Sequence, residues 1–137
     1  SICQERGMTP VPSTRILLVD DDPQVRASLE RGLSRLGAEV DAFGDTSPAL
    51  MQLEPDRYDA VICDQVLEGA LCGHEFLLAV QQVDAGACTI LISGEDLTDR
   101  DLALERYDGV VAKPTTPFSL LECIESARRA RRVQSAA

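Results

Sequence analysis

The chain has 137 residues, of which 45% are hydrophobic and 26% charged, with a formal net charge of −10. That length fits one domain with a core of its own, and the negative charge argues against nucleic acid or an anionic membrane as the main partner. No apolar run approaches the roughly 18 residues of a membrane-spanning helix and no signal-peptide pattern opens the chain, so a cytoplasmic location is expected.

The first fourteen residues, "SICQERGMTPVPST", lack an apolar period and carry Pro10 and Pro12, as a linker or tail would. The chain begins at Ser1 rather than Met, as an excised segment would. Ile16–Val19 is an unbroken apolar run, the signature of a buried parallel strand. Asp22 then supplies a helix N-cap, Pro23 the first helical position, and Val25, Leu29, Leu33 and Leu36 one apolar stripe that Gly37 ends. Ala38–Phe43, "AEVDAF", alternates apolar and polar residues like a strand at a sheet edge. Ser47–Pro48 opens a second helix that runs toward Glu54–Pro55. Ala60–Cys63 repeats the buried-strand pattern, and His74–Val83 is helical. Thr89–Ile92 is a third buried strand, followed by a helix over roughly Thr98–Arg106. Gly109–Ala112 is the fourth buried strand. Thr116 and Pro117 then start a last helix with the stripe Leu120, Leu121, Ile124 and Ala127. Five strands alternating with five helices predict a doubly wound three-layer α/β domain over residues 15–132, with 133–137 as a short C-terminal tail. The five cysteines (Cys3, Cys63, Cys72, Cys88, Cys123) are odd in number and lack C-x-x-C spacing. They read as small hydrophobes of a reduced chain.

Each of the four apolar runs ends in a polar residue suited to phosphate or metal chemistry: Asp20, Asp21 and Asp22 after the first, Asp64 after the second, Ser93 after the third, Lys113 after the fourth. In a parallel sheet those ends share one edge, where ligands bind. Carboxylates crowded together oppose folding unless a cation offsets them. Lys113 is the only lysine in the chain, the other twelve basic side chains being arginine, so a divalent ion is the natural further partner. Mg²⁺ prefers oxygen ligands, and one or two carboxylates plus a phosphate commonly hold it.

Together, "ILLVDDDPQVR", "YDAVICD", "ILISG" and "VVAKP", in that order and spacing, closely resemble the receiver domain of bacterial two-component response regulators. The resemblance runs from about Arg15 to Arg132. It implies a flavodoxin-like (βα)₅ fold with sheet order 2-1-3-4-5, which places Ala38–Phe43 at an edge. It implies Asp64 as phosphoacceptor, charged from a phosphohistidine on a sensor histidine kinase or histidine phosphotransfer protein. Asp20, Asp21, Asp64 and the backbone carbonyl of Val66 would hold Mg²⁺, with Asp22 capping the first helix. Lys113 would stabilise the transferring phosphoryl group, Ser93 would hydrogen-bond it after transfer, and the Lys113–Pro114 bond would be cis. Such a domain is a signalling switch that catalyses only its own phosphorylation and dephosphorylation. Homodimerisation is a further possible association, with neither nucleic acid nor membrane bound.

The chain departs from the family in several places. After the phosphoacceptor, Glu68 stands where a proline is usual and Gly73 arrives one residue late, in a loop longer by one. Val110 occupies the position of a tyrosine or phenylalanine whose rotation reports phosphorylation, and Tyr107 is too far upstream to replace it by register. Thr115 replaces a usual aromatic, and the helix after Ser93 is shortened. Val66 and Glu95 sit where phosphoryl lifetime is tuned, and suggest opposite effects. His74 suits an exposed or capping role better than that of a phosphodonor, and "ARRARRV" suits a solvated helix end. Too few residues follow Arg132 for an output domain, so of three arrangements (stand-alone receiver, C-terminal receiver of a hybrid kinase, N-terminal part of a longer regulator) the first two are favoured. Two rivals remain open. One is a pseudo-receiver that binds partners without phosphorylation. The other is a phosphohydrolase of the haloacid-dehalogenase kind, whose D-x-D-x-T/V pattern fails here at Pro23 and Gln24.

Overall fold

A computed structural model describes residues 13–65, 72–94 and 106–136. In chain order the described elements are β1 (Arg15–Val19), α1 (Pro23–Arg35), β2 (Glu39–Phe43), α2 (Thr46–Leu50), β3 (Ala60–Asp64), α3 (Gly73–Val83), β4 (Cys88–Ser93), β5 (Gly109–Ala112) and α4 (Pro117–Ala136). All strand pairings are parallel and the order is β2-β1-β3-β4-β5, as the resemblance implied. The strand expected to alternate, β2, is an edge strand and the least buried of the five. The helix expected over Thr98–Arg106 falls, except for Arg106, outside the described residues.

Pleating divides the strand side chains between two cores. Ile16 and Leu18, with Ile62, Ile90 and Ile92, face Leu29 and Leu33 of α1 and Leu120, Ile124 and Ala127 of α4. Leu17 and Val19, with Val61, Cys63 and Leu91, face Phe76, Leu77 and Val80 of α3. Burying both faces requires the continuous apolar runs seen in the sequence, and each fully buried Leu, Ile or Phe contributes roughly 1.5–3 kcal/mol by leaving water. The ends of the α1 stripe are looser than expected: Val25 and Leu36 are 40% and 50% exposed, because only the middle turns lie over the sheet. Helix α2 is one short stretch capped by Asp45, whose side chain accepts from Ser47 N at 3.3 Å. It stops at Leu50 rather than near Glu54, after which the chain turns. Helix α4 continues to Ala136, beyond the expected boundary at Arg132.

At the amino-terminal edge of the sheet a polar hub fastens α4. Asp108 accepts from Thr89 N at 2.8 Å and takes Arg131 in a two-pronged pair, Nε at 2.7 Å and Nη2 at 3.0 Å. Arg131 Nη1 also donates to the Ala85 carbonyl at 2.7 Å. That fork geometry is the arginine speciality. Among the described residues Cys63 and Cys88 are buried and unbridged. Burial first, and then the charge of Asp64, raises the Cys63 thiol well above its ordinary value, so it stays protonated and acts as core.

Helices α1 and α4 meet at Gly32, where a Cβ would lie 2.2 Å from Pro117 Cγ, a ring atom with little freedom to retreat. Alanine favours a helix interior over glycine by roughly 1 kcal/mol, but overpacking of this severity costs about 1–3 kcal/mol. Gly32→Ala should therefore destabilise the fold. The check is chemical denaturation, with a midpoint lower than the wild-type one.

Candidate functional site

The sheet order reverses between β1 and β3, the crevice where doubly wound domains bind ligands. Asp20 follows β1 and Asp64 ends β3, so the reversal itself sets two carboxyls side by side. Both are buried, at 1% and 2% exposure, and Asp21 is half-buried next to them. One carboxylate oxygen from each of the three lies within 4.8 Å of the others. Above them opens a cavity of about 790 Å³ lined by these acids, Ser28, Lys113 and Thr115 among others. Lys113, just beyond β5, extends its ammonium to Asp64 Oδ2 at 2.6 Å. The Lys113–Pro114 bond is cis. Asp22 is exposed and caps α1, accepting from Gln24 N at 2.9 Å and Val25 N at 3.3 Å. Asp22 thus takes the capping role expected of it, apart from the three clustered carboxylates.

The electrostatics follow from this crowding. Burial is the largest influence on Asp20 and pushes its carboxyl above the ordinary 3.8; the Asp22 backbone amide on Oδ1 opposes the shift, and the charge of Asp64 adds to it. Partial burial of Lys113 works to lower its ammonium, but the hydrogen bond to Asp64 and the charges of Asp64, Asp20 and Asp21 outweigh it and the net shift is upward. Asp20 Oδ2 is buried and has no hydrogen-bond partner among the described residues. A buried, unsatisfied carboxylate oxygen beside two further carboxylates is what a hard divalent cation would satisfy. The donor set fits Mg²⁺.

Ser93 closes β4, and its hydroxyl donates to Gln65 Oε1 at 2.6 Å. Gln65 is the residue that sequence reasoning missed: adjacency to Asp64 was its only signal. Gly73, despite its late position, packs closely on the backbone of Asp64, since a Cβ there would fall 2.1 Å from the Asp64 carbonyl oxygen. Val66, Glu68 and Glu95 lie outside the described residues. Arg26 also reaches this end of the sheet, but Nη1 donates to the Asp20 backbone carbonyl at 2.8 Å, while among the described residues Lys113 is the base paired to Asp64.

His74 is neither exposed nor a cap. It is half-buried in the first turn of α3, with Nδ1 against the Tyr107 hydroxyl and Nε2 3.3 Å from Arg106 Nη1. Tyr107 packs in the α3-side core with Val110, which lies on β5 opposite Leu91. No ring occupies the Val110 position.

A family profile described as "Response regulator receiver domain" matches residues 16–125. The chain is 34% identical over 125 residues to the transcriptional regulatory protein PrrA of Mycobacterium bovis, covering 90% of this chain and 53% of that protein. It is 39% identical over 113 residues to the transcriptional activator protein PfeR of Pseudomonas aeruginosa, covering 82% of this chain and 36% of that one. The chain thus spans about half or less of these regulators' length. Among solved structures it resembles a CheY-like response regulator receiver domain from Methanospirillum hungatei, with a TM-score of 0.77, 25% identity, and coverage of 90% of this chain and 99% of that one.

A carboxyl whose folded-state value is raised favours the fold below its unfolded value of 3.8 and loses that contribution as pH rises through the raised folded value. Ionised Asp20 therefore weighs against the metal-free fold at neutral pH. Asp20→Asn should raise the metal-free Tm by a few degrees, equivalent to about 1 kcal/mol. The gain should shrink as pH falls toward 4, and Mg²⁺ should raise the wild-type Tm but not that of the variant. Thermal melts at several pH values, with and without Mg²⁺, check both.

Proposed function

We propose that this chain, which belongs to the response regulator receiver domain family, takes a phosphoryl group onto Asp64 from a phosphohistidine of a sensor histidine kinase or histidine phosphotransfer protein. The observation that carries the reading is the 2.6 Å ion pair of Lys113 with Asp64 beside the buried carboxyl of Asp20. In the reaction a carboxylate oxygen of Asp64 forms the bond to phosphorus while the bond from phosphorus to the donor imidazole breaks, and the imidazole nitrogen leaves with the electron pair. Lys113 Nζ holds the acceptor carboxylate in place and offsets the charge that gathers on the transferring group. The work is positioning and electrostatics. Asp20, Asp21, Asp64 and the Val66 carbonyl would hold Mg²⁺, which when bound supplies positive charge to the phosphoryl oxygens. Ser93 donates to a phosphoryl oxygen after transfer.

The unit that carries this switch is residues 15–132, working in the cytoplasm, with no substrate other than its own aspartate. Its immediate partners are proteins. The net charge of −10 makes this domain itself a poor ligand for nucleic acid, whatever DNA contacts a longer transcriptional regulator would make through other segments.

The test is incubation with Mg²⁺ and acetyl phosphate, followed by intact-mass measurement. One phosphoryl adduct is expected on the wild type and none on Asp64→Asn; absence of an adduct from the wild type under any donor would instead favour a phosphorylation-independent binding module. Lys113→Arg keeps the charge but presents a broad fork in place of a point donor. It should fold, yet show weaker binding of the phosphohistidine donor or a blunted response to phosphorylation, read by partner titration. A wild-type response in that variant would count against the role given to Lys113.

A further inference from the structure

The hydroxyl of Ser93 is already engaged, and its partner is not a group that the phosphoryl chemistry requires. It donates to Gln65 Oε1 at 2.6 Å. A hydroxyl carries one proton and so can donate to one acceptor at a time. Donation to Gln65 and donation to a phosphoryl oxygen on Asp64 therefore exclude each other. The backbones on both sides are fixed. Gln65 N donates to the Ile92 carbonyl at 2.8 Å, and Lys113 N donates to the Ser93 carbonyl at 2.9 Å. With both main chains held in the ladder, any exchange of this hydrogen bond falls to the side-chain torsions of Ser93 and Gln65.

We infer that Gln65 is a positioning residue that holds the Ser93 hydroxyl in a resting rotamer, so that a phosphoryl group on Asp64 must win the Ser93 proton from the Gln65 amide before the switched state forms. This rests on the phosphoacceptor reading of Asp64. Gln65 acts through Ser93 and not on the phosphorus. Its amide oxygen is the competitor, and its own hydrogen bond is lost when Ser93 turns. The side chain is half-buried, so the released amide can turn toward water and the cost of switching is modest. Gln65 thus sets how far the population lies toward the resting form at a given degree of phosphorylation.

The experiment is a titration of the Mg²⁺-loaded protein with beryllofluoride, a phosphoryl mimic, followed by amide NMR. Gln65→Met keeps the length of the side chain and removes the amide acceptor; Gln65→Leu, one atom shorter, is a second variant in case the first folds poorly. Either should bind beryllofluoride about two- to tenfold more tightly than the wild type, the range that one intramolecular hydrogen bond commands. In a Ser93→Ala background, where no proton is contested, the same substitutions should leave the affinity unchanged. A general loosening of the fold would not depend on Ser93. Unchanged affinity with Ser93 present, or an equal shift with Ser93 absent, overturns the inference while leaving Asp64 as the phosphoacceptor. A wild type that binds no beryllofluoride and gains no phosphoryl adduct removes both.

Discussion

Three carboxylates gather at one end of a largely apolar sheet, two of them almost wholly buried, and the fold has to tolerate their repulsion. Asp20 and Asp64 are almost fully buried where strand order reverses. The reversal that creates a crevice therefore also creates the electrostatic problem. A single ammonium, from a strand more than forty residues further along the chain, offsets part of it at 2.6 Å. What remains uncompensated is localised: Asp20 Oδ2, with no partner among the described residues. A cluster of carboxylates left short of positive charge by its scaffold is one that a hard cation would relieve. Stability and function are in tension at this spot, as buried like charges at functional sites commonly are.

The contrast between two ion pairs explains why the chain's one lysine stands where it does. At the opposite edge of the sheet Arg131 faces Asp108 through two prongs and spends a third donor on the Ala85 carbonyl. That contact is static and multidentate, so a planar fork with fixed donors suits it. At the carboxyl edge Lys113 meets Asp64 through one atom, and its side chain remains 40% exposed toward the cavity. A compact charge on a flexible stem needs only that one contact and no second bond to hold it. The guanidinium's planar fork is built for more than one. Arg26 reinforces the distinction, since it approaches the same region but binds a backbone carbonyl.

Much of this was legible in the sequence because parallel sheets leave a blunt signal. Strands buried on both faces must be continuously apolar, and the residue ending each run is the first able to be polar; Asp20, Asp64, Ser93 and Lys113 announced themselves in that way. The capping role of Asp22 was equally readable from the following proline. What stayed hidden depends on side chains meeting across elements. Gln65 has no periodicity or motif to mark it, and its meaning appears only when β3 and β4 are in register. His74 looked like a surface residue because a helix start is usually exposed, and only the approach of Tyr107 and Arg106 from the segment before β5 encloses it. Helix α2 ended early for a similar reason: propensity from Ser47 to Glu54 was adequate, but the core receives only Thr46 and Ala49 as fully buried anchors. A helix of that length gains most of its stability from packing rather than from propensity.

The loop after Asp64 shows how a local departure can leave a site intact. The sequence carries an extra residue before Gly73, yet the glycine sits where a Cβ would strike the Asp64 carbonyl oxygen at 2.1 Å. The requirement is on contact, not on count: the first turn of α3 must press against the backbone that carries Asp64, and only glycine permits it. A spacing rule read from sequence is a proxy for that contact. When the spacing changes and the contact persists, the geometry that positions the carboxylate persists with it. The late arrival of Gly73 therefore goes together with Asp20, Asp21 and Asp64 clustered and Lys113 paired to Asp64.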